Sequence, residues 1–266
     1  MLTSRHAPQV SKLRELVRPG VTAIIVVNFP HNPTGCVLSR AELTEVVELA
    51  REAGSLIFSD EMYRGLETDA SAACPSVVEL CERAISLGGL SKSHGCPGLR
   101  CVFQHAQLFG AQELTPAHRC GWLVTRDAAL RARLVESKDF STICGSAPSE
   151  VLGVVALRAT RTILERNKAL IAANLALLNA FFERHKSTWE WSVPSAGTVG
   201  FPRLLTGESA DSFCERLRTS RNVLLLPSSV YDYVEAGEQR VRIGFGREDL
   251  PAVLQELEDF MRTDVK

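Results

Sequence analysis

The sequence predicts an α/β protein with a mostly parallel sheet, followed by a smaller α+β unit. Three observations carry this expectation. Short β-branched runs alternate with helical segments through the first half of the chain. Each of those runs ends in a polar segment, where open parallel sheets bind their ligands. After Ser146 the pattern changes to long helices, then short strands and a closing helix.

The elements follow in order. Val21–Val27 (VTAIIVV) is apolar except for Thr22, which predicts a strand buried on both faces. The loop Asn28–Val37 follows, and Ser39-Arg40-Ala41-Glu42 has the form of a capping box opening a helix that lines up Leu43, Val46, Val47 and Ala50. Ser55–Ser59 and Ala84–Leu87 supply two further strands. Helices are expected over Ser146–Thr160 and Arg161–His185. The apolar stretch Leu170–Phe182 in the second is too short to span a membrane and fits a buried helix face. Short strands then lie near Trp189–Val193, Gly197–Leu204, Val223–Leu226 and Arg240–Gly244. The last helix places Leu250, Val253, Leu254, Leu257, Phe260 and Met261 on one stripe, with Pro251 in its first turn. Asn167–Lys266 is the expected smaller α+β domain.

Composition narrows the function. With 266 residues, 45% hydrophobic and 23% charged, the chain is of ordinary globular type. A net charge of −1 provides no electrostatic footprint for nucleic acid or an anionic membrane. The first residues show no apolar signal-peptide run. Eight cysteines occur without a C-x-x-C pair or a compact His/Cys cluster, so no metal site is expected. Reduced, mostly buried thiols and a cytoplasmic location are the expectation.

Three polar segments carry the chemistry. In Asn28–Gly35 the Asn32 amide can donate to a phenolate oxygen, although Asn-Pro and Thr-Gly suit a plain rigid turn equally well. Asp60-Glu61-Met62-Tyr63-Arg64 ends the second strand. A carboxylate there suits either a helix cap or a cationic ring nitrogen, and Tyr63 lies about one turn further on. Ser91-Lys92-Ser93-His94-Gly95-Cys96-Pro97-Gly98-Leu99-Arg100 is the strongest segment. A serine-flanked lysine directly after a buried strand is suited to an imine with an aldehyde cofactor, and a forked guanidinium is suited to phosphate.

HNPTG (His31–Gly35), SDEMY (Ser59–Tyr63) and LSKSHGCPGLR (Leu90–Arg100) stand together in the order and spacing of the class I/II aminotransferases. The chain thus resembles the fold type I pyridoxal-phosphate-dependent family, a likeness that continues through Cys120–Val124, Pro194–Pro202 and Val241–Gly246. The resemblance implies that residues 1–166 form a partial, incomplete version of the family's large domain and 167–266 its small domain. It implies pyridoxal 5'-phosphate as cofactor, with Lys92 as the Schiff-base lysine and Asp60 opposite the pyridine nitrogen. Asn32 and Tyr63 match the donors to the 3'-oxygen, Arg100 a phosphate ligand, and Arg242 the arginine for a substrate α-carboxylate. Arg240 is expected on the strand surface, and His94 has no assigned role. The implied activity is amino-group transfer between an amino acid and a keto acid, in a homodimer. The same residues would serve a lyase or a cyclising synthase, and a non-catalytic remnant is the other alternative.

Three departures accompany the likeness. The family's earlier segment, with its phosphate-binding turn and ring-stacking aromatic, is not among these residues. Gly89 stands where a phosphate-binding serine is common, leaving a backbone N–H as a partial substitute. Nineteen residues, Cys101–Arg119, separate PGLR from CGWLV, which the family joins directly. Such an insertion is expected as a surface excursion. Arg100 and Arg119 both precede a cysteine, and the spacing from Lys92 favours Arg100.

Overall fold

The computed structural model describes residues 10–69, 71, 73–98, 100–101, 118–141, 143–231 and 238–263, with the backbone alone for 100, 101, 118 and 119. The chain opens with α1 (Val10–Leu16), β1 (Ile24–Asn28), α2 (Arg40–Ala53), β2 (Leu56–Asp60), α3 (Val77–Leu80) and β3 (Ala84–Gly89). β4 (Arg100–Cys101), β5 (His118–Arg119) and β6 (Gly121–Val124) follow, then helices α4 (Ala128–Asp139), α5 (Ala147–Arg158) and α6 (Thr160–Arg184). The remainder comprises β7 (Trp189–Glu190), β8 (Val199–Gly200), β9 (Arg203–Leu204), α7 (Ala210–Arg221), β10 (Leu226–Pro227), β11 (Val241–Gly244) and α8 (Leu250–Thr263).

β1, β2 and β3 pair in parallel, and β6 joins β3 antiparallel to give the order β1-β2-β3-β6. The predicted capping box at Ser39 forms: Ser39 Oγ accepts from Glu42 N–H at 3.2 Å, and Ser39 N–H donates to the Glu42 carboxylate at 2.8 Å. Gly54 closes α2 in the left-handed conformation, φ +70°. Between these caps, α2 buries Leu43, Val46, Val47 and Ala50 against Ile25, Val27 and Ile57. A second apolar cluster gathers Ile171, Leu175, Leu178, Phe181 and Phe182 of α6 with residues of α7, α8 and the short strands, and takes in Tyr63 and Leu66.

Several expectations need correction. β1 is not buried on both faces: Ile25 and Val27 are covered, while Ile24 and Val26 are 52% and 69% exposed. β1 is an edge strand, and among the described residues the helices that cover the sheet, α1 to α3, lie on one face. α4 buries none of its residues, and α5 exposes Val151, Leu152, Val154, Val155 and Leu157. The expected strand Gly197–Leu204 is interrupted between β8 and β9, and that at Val223–Leu226 begins only at Leu226. The seven described cysteines are unbridged, but only Cys214 is buried; five are half-buried and Cys144 is exposed. Arg240 lies inside, 1% exposed, where Glu238 pairs with it at 2.8 Å and the Phe201 carbonyl accepts from it at 3.2 Å. Strand position placed it outside; the Glu238 carboxylate accounts for its burial.

Candidate active site

Parallel pairing sets β1, β2 and β3 with their carboxyl ends together, which brings the three polar segments to one edge of the sheet. Asn28 and Asp60 are register partners at those ends. Asp60 Oδ1 accepts from Met62 N–H at 3.1 Å, and Oδ2 accepts from the Asn28 side-chain amide at 3.2 Å. The carboxylate is therefore oriented from two directions. Tyr63 is buried at the start of the second cluster.

Lys92 sits in a tight turn. Gly95 N–H donates to the Lys92 carbonyl at 3.0 Å, and Cys96 N–H donates to that of Leu90 at 2.9 Å. Gly95 takes φ +65°, which accounts for a glycine at this point. The half-buried lysine places Nζ 5.4 Å from the centre of the Tyr63 ring. The turn is pinned to α6, because the Asn167 amide donates to the Ser93 carbonyl at 2.9 Å and His94 Nε2 lies 3.0 Å from Thr160 Oγ1. Thr160 already donates its hydroxyl proton to the Leu157 carbonyl, so His94 Nε2 is the donor in that contact. Burial pushes the His94 pKa below its ordinary value.

Asn32 and Arg242, 210 positions apart, meet: Arg242 Nη1 donates to Asn32 Oδ1 at 3.2 Å. That contact directs the amide's Nδ2 donors elsewhere, toward whatever occupies the site. Arg242 also lies over the Tyr231 ring at 5.7 Å. Burial raises the Tyr231 pKa, with nearby Arg242 opposing and Tyr63 reinforcing the shift. Tyr231 is a site neighbour that sequence reasoning did not find, since its turn carries no motif.

A second loop braces the first. Ser195 and Ala196 N–H both donate to the Gly35 carbonyl at 2.9 Å, and Gly197 N–H donates to that of Leu66 at 3.0 Å. Gly35 has φ +69°, and a Cβ there would stand 2.9 Å from the Ala196 carbonyl oxygen, so no other residue fits.

The departure at Gly89 has a steric reason. A Cβ at 89 would meet the Cys120 carbonyl oxygen and Met62 Cε at 3.1 Å and Gly121 Cα at 3.2 Å, because β6 crosses at this point. Two residues on, Ser91 Oγ is buried and has no hydrogen-bond partner among the described residues. An orphaned hydroxyl beside a lysine is what an anion-bearing ligand would satisfy. With an oriented carboxylate, an amide donor and a phenol nearby, the residues present fit pyridoxal phosphate. Arg100 is described only through its backbone: β4 and β5 set it directly opposite Arg119, so the excursion leaves and returns at adjacent positions. Its side chain, and the tip of the excursion, lie outside the described residues.

Comparison with known proteins agrees. Residues 6–107 match the family described as aminotransferase class I and II. Capreomycidine synthase of Streptomyces vinaceus is 27% identical over 239 residues, 90% of this chain and 55% of that protein. The aspartate aminotransferase of Thermotoga maritima is 26% identical over 263 residues, covering 98% of this chain and 62% of its own. Among solved structures, a PLP-dependent aminotransferase from Streptococcus suis superposes with a TM-score of 0.83 at 29% identity, over 99% of this chain and 63% of that one. The chain thus spans between about half and two thirds of the length of these relatives. It has the fold of the pyridoxal-phosphate-dependent aminotransferases, and its residues 6–107, which carry the three motifs, are similar to the aminotransferase class I and II family.

Proposed function

We propose that the chain acts as a pyridoxal-phosphate-dependent aminotransferase, moving an amino group between an amino acid and a keto acid. The observation that carries this reading is the meeting of Asn32 with Arg242, 210 positions apart, which joins a cofactor-type donor to a carboxylate-type receptor.

Bound pyridoxal phosphate supplies an electron-withdrawing ring that stabilises negative charge at the substrate α-carbon. Lys92 is assigned to hold the cofactor and, once released, to move the proton at that carbon as general base and acid. Asp60 would hold the ring nitrogen, its carboxylate favouring the protonated form. Asn32, through its Nδ2 donors, and Tyr63, through its phenol, bind the 3'-oxygen. Ser91 offers its unmatched hydroxyl to the phosphate, and Arg100 is assigned there from the sequence motif. Arg242 receives the α-carboxylate as a fork, orienting the substrate for proton removal.

A cyclising synthase is the second reading, favoured by the similarity to capreomycidine synthase over 90% of this chain. Keto acid formation that depends on an added acceptor keto acid indicates transfer, and product formation without an acceptor indicates the alternative. The cofactor itself is tested by spectroscopy: the chain with pyridoxal phosphate should develop a visible absorption band that Lys92→Ala abolishes. A band that survives the substitution refutes the assignment of Lys92.

We further propose a division into residues 1–166 and 167–266, with α6 straddling the boundary; the two apolar clusters support it, although Tyr63 and Leu66 of the first unit pack in the second cluster. We also propose a homodimer and a cytoplasmic location. The unbridged described cysteines support the latter, and among the described residues no helix is long and apolar enough to cross a membrane.

A further inference from the structure

β1 reads Ile24-Ile25-Val26-Val27-Asn28, four apolar residues and then an amide. Asn28 pairs in register with Asp60 of β2, and paired positions on neighbouring strands present their side chains to the same face. The Asn28 Nδ2 donates to Asp60 Oδ2 at 3.2 Å. Charge fixes the orientation of this amide, since the flipped form would set its oxygen against the carboxylate oxygen at that same distance. Met62 N–H holds the other carboxylate oxygen. Each oxygen of Asp60 thereby has one neutral donor and keeps room for one more, and rotation of the carboxylate is arrested.

The second observation is what Asn28 leaves unmatched. Its Oδ1 is buried and has no partner among the described residues. A buried acceptor without a donor destabilises a fold, and an aliphatic residue, as at the four positions before it, would avoid the penalty. The amide is therefore poorly explained by stability and well explained by the proton it directs at Asp60. We infer that Asn28 is a positioning residue, aligning the Asp60 carboxylate for the ring nitrogen of the cofactor. The inference rests on the reading given under Proposed function. Asn28 touches Asp60 and acts through it.

The test uses the full chain with pyridoxal phosphate, comparing wild type, Asn28→Leu and Lys92→Ala by circular dichroism, by cofactor affinity and by pH titration of the visible band. Asn28→Leu should keep the wild-type far-ultraviolet spectrum and a band that depends on Lys92. Its cofactor dissociation constant should rise about tenfold, the scale of one hydrogen bond to a charged group. The midpoint of its band titration should move by about half a pH unit or more, because the carboxylate facing the ring has lost its alignment. If Asn28→Leu fails to fold, Asn28→Ala, which is smaller and also lacks the donor, carries the same expectation. A wild-type band with variant affinity and titration superimposed on it overturns the role of Asn28 alone. Absence of a band in wild type, or its persistence in Lys92→Ala, overturns the reading beneath it.

Discussion

Arg242 and Arg240 stand two positions apart on the same run, yet face different tasks. Arg242 is half-buried, donates one hydrogen bond to Asn32 and lies over the Tyr231 ring, and it is the residue proposed to receive a substrate carboxylate. Arg242→Lys retains the charge and loses the fork, so kcat/KM for an amino acid should fall about 10- to 100-fold. Steady-state kinetics with acceptor keto acid in excess checks this. Arg240 is enclosed and paired with Glu238 at 2.8 Å. Glu238→Ala removes a carboxylate partner from that buried guanidinium and should destabilise the fold by about 3 kcal/mol, measured by urea unfolding. His94 makes a third residue-scale case. Burial holds its pKa below the ordinary 6.5, so the unfolded chain takes up the proton more readily than the folded one. Its contribution to stability is complete above that value and is lost as the pH falls through the lower, folded value. Thermal midpoints measured from pH 7.5 to 5.5 should drop in wild type, and the slope should flatten in His94→Gln. The sequence singled out Lys92 by its serine-flanked place after a strand, while Asp60, Asn32 and Arg242 were named through the resemblance that the three motifs carry in register. Tyr231 and Asn28 were not legible, since their roles follow from which strands and turns become neighbours.

At the scale of elements, local signals were the dependable ones. The Ser39 box and the stripe of α8 both formed, because each depends on residues within a few positions of one another. Whether a strand is covered on one face or two depends on distant segments, and there the apolar run of β1 was misleading. Gly88 and Gly89 illustrate the same dependence. They pair with Trp122 and Gly121 of β6, and only that crossing explains why side chains are excluded from the end of β3. Gly89→Ser, which restores the residue common elsewhere in the family, should therefore destabilise the chain by about 1–3 kcal/mol through overpacking. It should leave cofactor affinity no better, which equilibrium unfolding and a cofactor titration together would establish.

For the molecule as a whole, the sheet has one face dressed by α1 to α3, while Ile24 and Val26 on the other face are exposed. Trp122, Leu123 and Val124 of β6 and the apolar side of α5 are exposed as well. Apolar surface of this kind marks a contact area or an aggregation risk. The 266 residues expressed alone should bind a hydrophobic dye such as ANS strongly in the native state, and Val26→Lys with Val155→Lys should reduce that fluorescence without lowering the thermal midpoint. Weak dye binding by the unmodified chain would show that this surface is covered in solution.

The paired feet of the excursion after Lys92 bear on how such a chain is assembled over evolutionary time. Arg100 and Arg119 stand face to face, as do Cys101 and His118. A segment whose ends adjoin can enter or leave a gene in one event while the framework on either side keeps its alignment. Exchanging residues 102–117 for Asn-Gly, the pair favoured by two-residue hairpins, should leave the register of β3 and β6 and the visible cofactor band unchanged. On that account the paired ends, and not the length of chain between them, set the framework on either side.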